Sequence, residues 1–217
     1  MNVLPLFPLQ SVLFPGMPLR LHIFESRYKE LIQRCLDDQL PFGVVLIEEG
    51  QEALGPLPEP HDIGTTAQIS YLEPLGDGRS NLLAIGGERF RIIEILGGHP
   101  YLTARVEYMP LPVLDTRQVV KDASRIRPLV ERYLSALSAM DLWREGTFEL
   151  PRDPIGLAFM AAAVLQVPTE KKQAMLEAKN AGHLTRLLQQ TLHQEVSLLK
   201  ILSERGLERM EQTSPLN

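Results

Sequence analysis

Short apolar runs separated by turn residues dominate the first half of the chain. Leu19, Leu21 and Ile23 alternate with Arg20 and His22, and this period of two predicts a half-buried strand. The opening run carries two prolines, which favours an edge strand. Further apolar runs predict strands at residues 42–47, 63–75, 81–85, 90–96 and 101–109, with hairpin-type turns at 76–78 and 97–98.

Helical spacing occurs once in the first half and throughout the second. Apolar positions three and four apart predict a helix over residues 25–38 and another over 119–140, which Pro128 should kink or split. Asp153 and Pro154 are typical of a helix start, as N-cap and first residue. The remaining predictions are a buried helix over 155–167, a long final helix over 184–202 and a frayed tail over 213–217.

Glycine and proline are unevenly distributed and indicate a boundary near residue 112. Residues 1–112 hold 12 of the 17 prolines and 11 of the 15 glycines, whereas residues 113–217 hold 10 of the 14 alanines. Turn formers favour strands and loops, and alanine favours helix. We therefore predict an α+β chain in which a small closed or nearly closed β-barrel with one helix (1–112) precedes an all-α bundle (113–217). Residues 109–116, with two prolines, should form a stiff linker.

Charge and cysteine content limit the partners and the compartment. The 217 residues carry a net charge of −5, with 8 basic and 14 acidic side chains in residues 1–112, so a nucleic-acid partner is disfavoured. Cys35 is the single cysteine, which predicts a reducing compartment. A signal peptide and an apolar span of about 18 residues are both missing from the sequence, so we expect a cytoplasmic protein without a membrane partner.

The sequence motifs predict neither an enzyme nor a cofactor or metal site. The sequence contains no Gly-x-Ser-x-Gly elbow. It also contains no glycine followed by lysine, a pair that a phosphate-binding loop requires. The five histidines are scattered, so His61 and Asp62 are interpreted as surface residues. Glu48 and Glu49 with Glu52 could resemble a carboxylate pair, but they are interpreted as a solvated strand end. Cys35 lies on the inner face of its predicted helix and is interpreted as an inert buried thiol.

Two features leave a binding function open. The segment 4–24 is unusually apolar: either it packs in the core, or it forms a groove or edge that captures an extended peptide by strand addition. The final helix carries basic residues along its length and is either a solvated bundle helix or a partner-binding or dimerising one. For the first feature, the candidate peptide-binding residues are Phe14, Met17, Phe24 and Tyr28.

Several sequence blocks, in order, resemble the N-terminal domain of the Lon ATP-dependent protease. The resemblance covers about residues 3–203. It rests on LPLFPL at 4–9, VLFPGM at 12–17 with the stretch up to Tyr28, IGTTAQI at 63–69, GERFRI at 87–92 and EKKQ at 170–173 with residues 184–195.

This resemblance implies a fold and a role. The implied fold is a PUA-like β-barrel carrying a helix, followed by a helical subdomain. The implied role is recognition of unfolded or degron-bearing protein segments, with a protease or chaperone as a further partner. The family's ATPase and Ser-Lys peptidase have no counterpart in these 217 residues, so we expect a stand-alone, non-catalytic member. One cysteine excludes the zinc-binding module of cereblon-type relatives.

Two other functions are weighed against this one. Many PUA-like barrels bind RNA, and the alternation of residues 90–96 places Arg89 and Arg91 on one face of a strand. An RNA site would need these two arginines to converge with Arg20, Arg27 and Arg105. A hidden hydrolase would need a polar triad in a pocket.

Overall fold

The chain divides into two compact units. The structure, a computed structural model, describes residues 2–52, 55–142 and 149–213, with side chains up to residue 202. The first unit comprises Met1–Pro112 and Ala162–Lys179, and the second comprises Val113–Ala161 and Asn180–Asn217. A compact unit need not fold independently, so the division into a domain of residues 1–112 and a domain of residues 113–217 stays a prediction.

The first unit is built around a β-barrel. In the described residues it contains β1 (Asn2–Leu9), β2 (Pro18–Ile23), α1 (Ser26–Asp37), β3 (Phe42–Glu49), β4 (Glu59–Pro60), β5 (Ile63–Pro74), β6 (Ser80–Leu96) and β7 (Leu102–Tyr108). The pairings run β1–β7–β6–β5–β3 and return to β1, which closes the sheet. The β1–β3 pair is parallel, and the other pairs are antiparallel. Closure leaves β2 and β4 as additions to β6 and β3.

The barrel interior is filled by apolar side chains from the strands and from one face of α1. Tyr28, Leu31, Ile32 and Cys35 are the buried residues of α1, at the predicted spacing of three and four. They pack in one core cluster with Phe42 and other strand residues. Burial of this stripe explains why the helix forms where it does.

Two predictions about the strands are wrong. The opening run is not an edge strand, because β1 pairs with β7 over Asn2–Leu6 and with β3 over Leu6–Leu9. Pro5 lies where β1 pairs only with β7, and Pro8 lies where it pairs only with β3. At each position one edge of β1 is unpaired, and a proline nitrogen that faces this edge removes no hydrogen bond from the sheet. The runs at 81–85 and 90–96 are one continuous strand, β6, rather than two.

Helices form the rest of the chain: α2 (Thr116–Ala139), α3 (Pro154–Val164), α4 (Thr169–Leu176) and α5 (Ala181–Thr213). The helix start at Asp153 is confirmed, since its carboxylate accepts a hydrogen bond from the Gly156 N–H at 2.6 Å. Pro128 does not split α2, which is continuous. Within the second unit α2 packs against α5. The predicted α+β class is confirmed, while residues 214–217 of the predicted tail lie outside the described residues.

Residues 162–179 pack with the barrel through buried polar contacts. The Arg89 guanidinium on β6 donates to the carbonyl oxygens of Met109, Leu176 and Ala178 at 3.2, 2.5 and 3.0 Å. The Gln173 side chain of α4 donates to the Ile63 carbonyl at 2.9 Å. These contacts fix α4 to the barrel within the first unit. In the part of the chain that the structure describes, no helix combines the length and apolar character needed to cross a bilayer.

Candidate functional site at strand β2

Strand β2 is bonded along one edge. Its residues pair with Ser80–Ile85 of β6, and none of the described strands pairs with its other edge. A turn leads into β2, in which the Met17 N–H donates to the Phe14 carbonyl at 3.1 Å. Gly16 adopts a φ of +77° in this turn, a conformation that favours glycine. An edge strand of this kind offers unpaired backbone groups to a second chain.

The side chains of β2 alternate as the sequence predicts. Leu19 and Leu21 pack against the core cluster, and Ile23 belongs to it. Arg20 and His22 point to the opposite, exposed face. One face of β2 therefore anchors the strand, while the other is available to ligands.

A shallow cavity of about 480 Å³ lies on the exposed face of the sheet β2–β6–β5. Two cross-strand rows form it: His22, Asn81 and Glu73 in one, and Arg20, Leu83 and Tyr71 in the other. The first row is hydrogen-bonded, with His22 Nδ1 2.9 Å from Asn81 Oδ1 and Asn81 Nδ2 donating to Glu73 at 3.2 Å. Tyr71 is 59% exposed and supplies an aromatic surface.

A second cavity, of about 280 Å³, lies beside β2. We call the two cavities together the β2 groove, because they share Arg20, Leu21 and His22. The volume of the second cavity alone lies just below the range of about 300 to 1,000 Å³ that is usual for small-ligand sites, and the volume of the first lies within it. The second cavity is lined by apolar and charged side chains: Phe7, Leu9, Arg20, Leu21, His22, Phe24, Glu25, Tyr28 and Glu52.

The structure brings together two of the four predicted peptide-binding residues. Phe24, 43% exposed, and Tyr28, 4% exposed, both line the second cavity. The Phe24 ring stacks on His22 with the centroids 6.2 Å apart. Phe14 is fully buried, and Met17 packs against the core, so neither lines the β2 groove. A direct peptide contact through all four residues stays a prediction, and Phe24 offers the accessible apolar surface.

Tyr28 has a buried hydroxyl at this cavity. Its ring stacks on Phe7 with the centroids 4.1 Å apart, which fixes the orientation of the side chain. The hydroxyl has no hydrogen-bond partner among the described residues. The pKa of Tyr28 is raised to about 12, mainly by burial; Arg27 opposes this rise, and the nearby Glu25 and Glu52 carboxylates contribute to it. The hydroxyl therefore stays protonated and able to donate.

Arg27 lies over the ring of Tyr28. Its guanidinium carbon lies 4.8 Å from the centre of the Tyr28 ring, and Nη1 donates to the Gly55 carbonyl at 3.2 Å. Nη2 lies 3.0 Å from a Glu25 oxygen, yet Nε and Nη2 make no well-directed hydrogen bond among the described residues. The Glu25 contact is thus an ion pair by proximity rather than an aligned hydrogen bond.

The arginine patch that an RNA site requires does not form. Arg89 is 2% exposed and donates to backbone carbonyls inside the first unit, so it cannot reach a phosphate. Arg27 is paired with Glu25, and Arg105 with Glu94. The prediction that Arg89 and Arg91 share one face of the strand is wrong, since the alternation of buried and exposed residues is interrupted where Arg89 and the next residue, Phe90, are both buried.

The described residues give little support for a cysteine nucleophile or for a metal site. Cys35 is buried, as predicted, and burial raises the pKa of its thiol to about 12, which disfavours the reactive thiolate. Among the described residues, no three His, Cys, Asp or Glu side chains are grouped as metal ligands.

Sequence reasoning missed the β5 and β6 contributions to the β2 groove. Tyr71, Glu73 and Leu83 face the cavity, although they lie about 50 to 60 positions after β2 in the chain. The alternation of residues 69–74 and 81–85 is the signal that could have placed them on an outer face. The alternation does not predict that β6 pairs with β2 and β5 with β6, and this pairing places the three residues beside β2.

The sequence matches a family profile described as "ATP-dependent protease La (LON) substrate-binding domain" over residues 3–194. The Lon protease of Anaeromyxobacter dehalogenans is 28% identical over 201 residues, which are 92% of this chain and 24% of that protein. The Lon protease of Paraburkholderia phytofirmans is 32% identical over 179 residues, or 77% and 21%. This chain thus spans about a quarter of the length of the curated relatives it matches.

Two solved structures share the fold. A Lon N-terminal domain protein from Xanthomonas campestris superposes with a TM-score of 0.62 at 24% identity, over 87% of this chain and 98% of that one. The N-terminal domain of the Mycobacterium avium complex Lon protease gives a TM-score of 0.68 at 16% identity, over 88% and 98%. With the profile match across nearly the whole chain, these findings establish that the chain belongs to the Lon substrate-binding domain family.

Proposed function

We propose that this chain is a protein-binding module that recognises exposed apolar segments of unfolded or degron-bearing proteins. The observation that carries the proposal is the β2 groove, where exposed Phe24 and Tyr71 flank an edge strand. Membership of a family described as substrate-binding supports the same reading. A protease or a chaperone in the cytoplasm is the partner that would use a captured segment.

The module is proposed to bind without catalysing a reaction. Binding of unfolded chains requires an accessible apolar surface and backbone hydrogen-bonding groups, both of which the β2 groove supplies. It requires no nucleophile, and Cys35 is too deeply buried to act as one. Any chemistry on a captured segment is assigned to the partner.

The test is a titration followed by fluorescence anisotropy at moderate salt. The probe is reduced and alkylated α-lactalbumin, a polypeptide that cannot refold. We expect saturable binding to the full chain, and a loss of about tenfold in affinity for Phe24→Ser, because an exposed aromatic anchor is removed.

Ile93→Ser is the matched control. Ile93 is 55% exposed on the same barrel but lines neither cavity, so its loss should leave the affinity within about twofold. The absence of saturable binding would refute the proposed function. Equal losses for the two variants would place the binding surface elsewhere.

A further inference from the structure

We propose that a polypeptide binds this chain as an added strand along the free edge of β2, with one of its backbone carbonyl groups accepting a hydrogen bond from the Tyr28 hydroxyl. The inference rests on the proposed function and specifies its binding mode. The ligand that we propose is an extended segment in which apolar residues alternate with basic or neutral polar residues.

The backbone of β2 supplies the first argument. In an antiparallel pair, alternate residues direct their N–H and C=O groups towards the partner strand. The Gly86 N–H donates to the Met17 carbonyl at 2.9 Å, which sets this alternation, and the pairing then runs without a bulge to Ile23. Arg20 and His22 therefore direct their backbone N–H and C=O groups away from β6. These groups match the spacing of an extended chain.

The Tyr28 hydroxyl supplies the second, independent argument. An unsatisfied buried polar group costs free energy, and a ligand that completes its hydrogen bond recovers that cost. Tyr28 lines the cavity beside β2, and its ring is held by Phe7, so the hydroxyl is a preset donor. Solvent does not reach the oxygen. Binding of a ligand carbonyl to this oxygen therefore requires a side chain of the cavity wall to move.

Charge selects the ligand. Three carboxylates, those of Glu25, Glu52 and Glu73, line the β2 groove together with the Arg20 guanidinium, and Arg27, outside the lining, is paired with Glu25. Residues 1–112 as a whole carry 14 acidic and 8 basic side chains. An acidic segment would be repelled from this surface, whereas lysine side chains on the outer face of an added strand would be attracted.

The experiment uses the full chain and a fluorescein-labelled peptide of about ten residues that alternates valine or leucine with lysine or serine. Two further peptides are N-methylated on alternate backbone nitrogens, one at the odd and one at the even positions. We expect one methylated peptide to bind like the parent and the other to lose about tenfold or more, because only one set of N–H groups faces β2. Equal affinities, or equal losses, would overturn strand addition.

Tyr28→Phe tests the hydroxyl alone, because phenylalanine keeps the ring on Phe7. We expect peptide affinity to fall about fivefold, the value of one hydrogen bond, while the urea midpoint stays the same or rises. Unchanged affinity would overturn the role of the hydroxyl. Replacing the lysines of the peptide by glutamate should weaken binding, and equal or tighter binding would contradict the choice of a basic segment.

The outcomes separate this inference from the proposed function. If the chain binds alkylated α-lactalbumin but not the alternating peptide, strand addition at β2 is wrong and the proposed function stands. If it binds neither probe, both fail. If Tyr28→Phe does not fold, the pair of methylated peptides still decides the question on the unaltered chain.

Discussion

Arg89 shows at the residue scale how a charged side chain serves packing. Its guanidinium is buried against three carbonyl oxygens, two of which, on Leu176 and Ala178, lie at the end of α4. Carbonyls at the end of a helix carry partial negative charge, which favours a cation there. Burial lowers the pKa of Arg89, yet a guanidinium remains charged in proteins. The side chain thus joins β6 to α4.

Removing this side chain should destabilise the protein. In Arg89→Met, three carbonyl oxygens lose their donor inside the first unit, and we expect the free energy of unfolding to fall by about 3 kcal/mol. Urea denaturation measures this as a lower midpoint. Arg91→Met, at an exposed position on the same strand, should change the free energy by less than about 0.5 kcal/mol. Similar midpoints for both variants would show that the Arg89 contacts are dispensable.

Cys35 should make stability fall at alkaline pH. Its pKa is about 12 in the folded chain against 9.0 ordinarily, so its contribution to stability is complete below pH 9.0 and is lost as the pH rises toward 12. Between urea titrations at about pH 8 and about pH 10, wild type should lose about 1.4 kcal/mol more than Cys35→Ala. An identical loss in both proteins would mean that the folded thiol ionises normally.

At the scale of elements, β6 explains where prediction from sequence succeeded and failed. Its two apolar runs were each predicted as strands, and both are. The strand continues through Gly86 and Gly87, which lie between the two runs, and Gly86 allows the backbone of the Phe14 turn to approach. A Cβ on Gly86 would lie 2.3 Å from the Phe14 carbonyl oxygen. Close approach of this kind comes from tertiary packing, which local patterns do not contain.

Gly86→Ala should therefore disrupt the turn that leads into β2. The new methyl group meets backbone that cannot rotate away, and we expect a loss of about 2 kcal/mol in the free energy of unfolding. Gly97→Ala, where no atom lies within 4 Å of the added carbon, is the control and should be neutral or slightly stabilising. Thermal unfolding of the two variants makes the comparison, and a stable Gly86→Ala protein would contradict the packing described.

The candidate site was predictable only in its first strand. The alternation of β2 and the apolar opening segment pointed to a groove, and Phe24 lies in it. Phe14 and Met17 share that segment but face the core, because a turn rather than a strand positions them. The rows completed by Tyr71 and Asn81 depend on which strands become neighbours, a consequence of barrel closure that spacing along the chain does not encode.

At the scale of the whole molecule, charge and surface chemistry fit the proposed protein partner better than they fit RNA. The chain carries a net charge of −5, and Arg89, one of the five arginines that an RNA patch would need, is buried. Binding of unfolded polypeptide rests on apolar contacts and backbone hydrogen bonds, which salt weakens little, whereas RNA binding rests on phosphate contacts and weakens steeply with salt.

We accordingly expect labelled single-stranded RNA to show no saturable binding at moderate salt, under conditions in which alkylated α-lactalbumin binds. Fluorescence anisotropy with both probes, at matched concentrations, measures the difference. Saturable RNA binding that falls with increasing salt would contradict this prediction and would redirect attention to the exposed basic residues of the barrel.

Photo-crosslinking tests most directly whether unfolded polypeptide binds at β2. The photoreactive residue benzoylphenylalanine replaces Phe24 in one protein and Ile93 in another, and each is irradiated with labelled, alkylated α-lactalbumin. The account predicts a strong crosslink from position 24, beside the β2 groove, and little from position 93 on the same barrel. Crosslinking from position 93 with none from position 24, in proteins that bind the probe, would contradict it.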